Sequence, residues 1–108
     1  MSKAEELFHK LAKNIPDAKE GKMFGALCLK ILSGKAVAMF WNDSMIFKLD
    51  GRAEKEALNL NGANIGTHLY DSPKQMKGWV QIPFQHAAQW KRFAELAIKN
   101  VNKNLITK

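Results

Sequence analysis

Residues 22–50 read KMFGALCLKILSGKAVAMFWNDSMIFKLD, three apolar runs rich in β-branched and aromatic residues, divided by Ser33-Gly34 and by Asn42-Asp43. Two-residue punctuators between such runs mark tight hairpin turns, so the stretch predicts a three-stranded antiparallel meander. With two-residue loops, Leu32 faces Lys35 and Trp41 faces Ser44, and every other cross-strand partner follows by counting. One face then carries Leu27, Leu29, Ile31, Ala36, Ala38, Phe40, Met45, Phe47 and Leu49, uncharged and expected to pack under helices. The other carries Phe24, Cys28, Val37, Met39, Trp41 and Ile46 beside Lys30, Lys35, Ser44 and Lys48, too apolar to be simply solvated.

Helical patterns flank the meander. Ser2 and Glu5 have capping-box spacing, and Ala4, Leu7, Phe8 and Leu11 recur at helical intervals, which predicts a helix over residues 2–13 ended by Ile15-Pro16. After Asp50, an N-cap residue, Ala53, Ala57, Leu58 and Leu60 share one side of a short helix stopped by Asn61-Gly62. Ile65, Thr67 and Leu69 alternate as in a strand within residues 63–70, and Ser72-Pro73 breaks the pattern. Val80, Ile82 and Phe84 alternate with Trp79, Gln81 and Pro83, and the proline points to an edge strand or a strand end. From residue 85 to 101, Ala87, Trp90, Phe93, Ala94, Ala97, Ile98 and Val101 form the stripe of a last helix. The expected fold class is α+β, a single antiparallel sheet with helices in the order α-β-β-β-α-β-β-α.

The 108 residues suit one domain, with 46% hydrophobic and 25% charged residues, unlike a disordered chain. Cys28 stands alone, so it closes no intrachain disulfide and suits a reducing compartment. No stretch has the length and apolarity of a membrane span, and residues 1–11 lack the apolar core of a signal peptide. Cytoplasmic localisation with no membrane partner is the expectation.

The charge is uneven. Of the net +7, the first 71 residues supply ten cations against nine anions, whereas residues 72–108 hold Lys74, Lys77, Lys91, Arg92, Lys99, Lys103 and Lys108 against Glu95 alone. Lys74, Lys77, Lys91, Arg92 and Lys99 are therefore a candidate basic patch able to follow a phosphate backbone with salt-dependent affinity. A solvated helix face is the competing and favoured reading, since Glu95 interrupts the stripe and stands at ion-pair spacing from Lys91 and Lys99.

Phe24, Lys30, Val37, Met39, Trp41, Ile46 and Lys48 form the candidate partner-binding face. In this register Lys30 and Lys48 flank Val37 in one cross-strand row, with the Trp41 indole further along, so they could hold an acidic or nucleic-acid partner by charge and stacking. A homodimer contact or plain packing is preferred, because Cys28, Met39 and Ile46 contribute nothing to phosphate binding.

No catalytic apparatus is legible. His9, His68 and His86 lie on separate elements with no His, Cys or carboxylate read at ligand spacing, and there is no zinc signature, phosphate-cradling glycine loop or nucleophile elbow. Cys28 lies mid-strand among apolar residues with nothing to make it a thiolate. The expectation is a non-enzyme with no metal, no cofactor and no catalytic residue. Trp79, Trp90 and Phe93 read as core.

Met23-Phe24-Gly25, Met45-Ile46-Phe47-Lys48-Leu49-Asp50, Trp79-Val80-Gln81-Ile82-Pro83 and Trp90-Lys91-Arg92-Phe93-Ala94 together resemble, in order and spacing, the N-terminal domain of the TfoX/Sxy family. The resemblance runs from about residue 21 to 101, departing at Ala26, where a second glycine is expected, and over residues 63–77. It implies a bacterial regulatory domain with a secretion-chaperone-like α+β fold that binds rather than catalyses, here as a stand-alone copy. Nucleic-acid binding through the basic C-terminal third is the alternative function. The first helix, three strands and second helix are similar in order to a double-stranded-RNA domain, but Glu54 and Glu56 on that second helix would repel phosphate.

Overall fold

The computed structural model describes residues 2–23, 26–65 and 78–106. Helix α1 spans Lys3–Asn14, followed by strands β1 (Ala18–Met23), β2 (Ala26–Ile31), β3 (Ala36–Trp41) and β4 (Ser44–Lys48). Helix α2 (Gly51–Leu58), strands β5 (Asn64–Ile65) and β6 (Trp79–Pro83), a 3₁₀ turn over Phe84–Gln89 and helix α3 (Trp90–Ile106) complete the chain. The described strands form one antiparallel sheet in the order β1-β2-β3-β4-β6-β5. The α+β class and the element order expected from the sequence are present, with one further strand, β1, ahead of the meander. Pro83 stands at the end of β6, which lies inside the sheet between β4 and β5. Phe24, most of the strand read at 63–70, His68, Lys74 and Lys77 fall outside the described residues.

The helices bury one face of the sheet. On α1, Ala4, Phe8, Leu11 and Ala12 are buried, and Phe8 meets Phe40 with ring centroids 5.7 Å apart. On α3, Trp90, Phe93, Ala94 and Ala97 are fully buried, and Phe93 packs on Phe47 at 6.2 Å. Leu29, Ala38, Met45, Phe47, Val80 and Ile82 complete this core from the strands. The Ser2 hydroxyl accepts from the Glu5 amide at 3.1 Å as the expected N-cap, and donates to Asp43 Oδ1 at 2.8 Å, tying α1 to the β3–β4 turn.

The two hairpins differ. Asn42 and Asp43 have φ of 52° and 57° between the paired Trp41 and Ser44, the two-residue turn read from the sequence. At the β2–β3 connection, the Gly34 amide donates to the Ile31 carbonyl at 2.8 Å and the Ile31 amide to the Lys35 carbonyl at 3.0 Å. The loop is therefore the three residues Leu32, Ser33 and Gly34, a turn followed by a glycine at φ 89°. Lys30 accordingly faces Ala36 rather than Val37, and a bulge at Val37 restores the expected register from Leu29 opposite Ala38 onward. Val37 thus joins the main core, fully buried, and leaves the face to which the sequence reading assigned it. Ala36 takes the reverse exchange, by its pairing with Lys30, while Lys35, opposite Ile31, leaves the second face with Val37.

Among the described residues, no helix is long and apolar enough to cross a membrane.

Candidate anion-binding site

The second face of the sheet has a buried middle. Ala26, Cys28, Met39 and Ile46 form a small cluster with Trp79 packed against it, and Cys28, Met39 and Ile46 are fully buried within the chain. Met39 and Ile46 are therefore interior side chains rather than open contact surface. Trp41 remains 45% exposed at the turn end of the sheet.

Two lysines meet at the opposite end of the sheet, where β3 begins, β4 ends and β6 begins: Lys48 on this face and Lys35, paired with the core residue Ile31, on the helix-covered side. Lys48 is paired with Trp79, and its ammonium lies 5.6 Å from the centroid of the Trp79 ring. Lys35, Ala36, Lys48, Trp79 and Val101 line a cavity of about 150 Å³. Lys30 is not part of this cavity: its stem turns over Gly21 of β1, on the other side of β2. Among the described residues no carboxylate lines the cavity.

Local structure holds this arrangement. The Asn100 carboxamide donates from α3 to the Lys48 carbonyl at 3.3 Å, and the Leu49 amide donates to the Gly78 carbonyl at 2.7 Å. Gly78 has φ 86°, and a Cβ there would stand 2.9 Å from Lys48 Nζ, so a bare backbone leaves room for the ammonium. Two ammonium groups beside an indole can hold a carboxylate or phosphate and stack a flat or apolar group next to it.

The candidate basic patch is divided. Arg92 pairs with Glu56 of α2, donates to Gln89 Oε1 at 3.1 Å, and lies 4.5 Å from the centroid of the Phe93 ring. Its neighbour Lys91 instead lines a groove with Leu7, Lys10, Leu11 and Asn14 of α1. Lys99 is exposed. Lys91 and Arg92 thus serve different sides of α3.

The histidines differ from the sequence reading at one point. His9 Nδ1 lies 2.7 Å from Glu20 Oε1, and its Nε2 is 3.5 Å from Glu5 Oε2, which clips α1 to β1. Glu5 precedes His9 by four residues, a helical spacing the sequence could have disclosed, whereas Glu20 arrives through tertiary packing. His86 Nε2 donates to the Asn61 carbonyl at 2.7 Å and pins the 3₁₀ turn to the segment after α2. Among the described residues no group of three His, Cys, Asp or Glu could hold a metal ion. Burial pushes the Cys28 thiol above its ordinary value, with the Lys30 charge opposing in part, so the thiolate is disfavoured.

Compared with known proteins, the chain matches no family model, no curated protein and no solved structure.

Proposed function

We propose that this chain is a non-enzymatic interaction module, of TfoX N-terminal type, that engages an acidic segment of a partner protein at the lysine-rich end of its sheet. The observation that carries the reading is the cavity of about 150 Å³ whose five lining residues include Lys35, Lys48 and Trp79. A partner carboxylate there would meet both ammonium groups, and an adjacent side chain would cover the indole. Burial of Cys28, Met39 and Ile46 supports the charged end over the apolar middle of the face as the contact region. The raised thiol and the structural engagement of His9 and His86 support a role without nucleophilic or acid–base catalysis.

Nucleic-acid binding is the second reading, supported by exposed Lys91 and Lys99 on α3 and by the cationic surplus of residues 72–108. Fluorescence anisotropy separates the two, with a labelled oligoglutamate peptide and a labelled short duplex titrated in parallel at low and moderate salt. Binding of the peptide in preference to the duplex is the expected result. Preference for the duplex, with affinity falling steeply with salt, would replace the first reading by the second.

A further inference from the structure

Strand β1 is an edge of the sheet, pairing among the described residues only with β2. Its backbone polarity follows from the neighbouring hairpin. The Ile31 amide points toward β3, where it donates to Lys35, so alternation along β2 directs Lys30, Cys28 and Ala26 toward β1. Their partners Lys19, Gly21 and Met23 bond inward. The amides and carbonyls of Ala18, Glu20 and Lys22 consequently point out from the edge, available to another strand. Glu20 and Lys22 are exposed, and their side chains share the face on which α1 lies.

We propose that a second copy of this chain adds to this edge, β1 against β1, antiparallel and centred on Gly21. In that register Glu20 faces Lys22 of the second copy and Lys22 faces its Glu20, two opposite-charge pairs at the positions where the backbone groups point outward. Shifting the centre to Glu20 or to Lys22 opposes like charges directly, and centring between Glu20 and Gly21 sets Lys19 against Lys22. Centring between Gly21 and Lys22 opposes no like charges but sets outward-bonding against inward-bonding residues, so charge and backbone polarity together select one self-pairing. Gly21 contributes no side chain where the two copies approach most closely, and the Lys30 stem already lies over it, 3.2 Å from where a Cβ would stand. Beside this edge an open concavity of about 500 Å³ between α1 and β1 is lined by Glu6, His9, Lys10, Lys13 and Glu20, of mixed charge, so the selectivity rests on the Glu20–Lys22 pairs. The product is one continuous sheet across two chains, with the lysine-rich cavities left free. This pairing is independent of the proposed binding function, because strand β2 separates the β1 edge from the cavity-lining strands β3, β4 and β6.

Sedimentation equilibrium of the full chain tests it, with Glu20→Lys, Lys22→Glu and the double exchange. The wild type is expected at twice the mass of one chain, each single reversal at the mass of one chain, and the double exchange again at twice. Circular dichroism confirms that the single variants keep their fold, and Lys22→Glu leaves the His9–Glu20 contact in place. A wild type that stays monomeric at millimolar concentration would overturn the proposal, as would a dimer indifferent to either reversal or a double exchange that fails to restore it.

Discussion

The Lys48 ammonium rests 5.6 Å from the centre of the Trp79 ring, across a strand pair whose members are separated in the chain by helix α2. That contact positions one cation of the candidate site and depends on the adjacent bare backbone at Gly78. Gly78→Ala is expected to cost about 1–2 kcal/mol, since φ of 86° disfavours any side chain, and to displace Lys48 from the indole. Urea denaturation measures the first effect and Trp79 chemical shifts the second.

Val37 tests the bulge. It is fully buried in the main core, so Val37→Lys should destabilise by at least about 3 kcal/mol through an unpaired interior charge. Leu32, 88% exposed on the three-residue loop, should accept lysine within about 0.5 kcal/mol. Comparable denaturation midpoints for the two variants would contradict the register.

Asp43 combines a left-handed backbone with the hydrogen bond from Ser2. Asp43→Ala should cost about 1–3 kcal/mol by losing both a tolerant residue and an acceptor. Asp43→Asn keeps both properties and should stay within about 0.5 kcal/mol of wild type in the same assay.

Cys28 sets a pH dependence. Its folded-state pKa is raised by burial above the ordinary value of 9.0, so the unfolded thiol ionises first as pH increases. The associated stability is complete below that value and declines as pH climbs from it toward the folded-state pKa. Denaturation curves between neutral and alkaline pH should show this decline in the wild type and a smaller one in Cys28→Ala. Thiol-directed reagents should modify Cys28 slowly until the protein is unfolded.

Local chemistry made much of the fold legible. The Asn42-Asp43 turn, the N-cap at Ser2, the alternation of Val80 and Ile82 and the stripe through Trp90, Phe93 and Ala97 each record their own structure within a few residues. Strand β1 did not, because Ala-Lys-Glu-Gly-Lys has no apolar alternation; it is a strand through backbone pairing with β2, and its charges belong to an exposed edge. The Ser33-Gly34 pair identified the turn without revealing that Leu32 belongs to it, and that single residue moved Lys35, Ala36 and Val37 across the sheet. The common row expected for Lys30 and Lys48 across Val37 does not form, because the bulge sets Lys30 opposite Ala36 and sends Val37 to the core, and the indole beside Lys48 is Trp79. The pairing of β4 with β6 is a tertiary event that no local periodicity encodes.

The most direct test of the binding site compares Lys48→Glu with Lys91→Glu by anisotropy of a labelled oligoglutamate peptide at low salt. Reversal at Lys48 should weaken binding at least about tenfold, while reversal at Lys91, on the α1 groove, should leave it near wild type. No peptide binding by the wild type, or an equal loss from both reversals, would contradict the assignment of the Lys35, Lys48 and Trp79 cavity as the contact site.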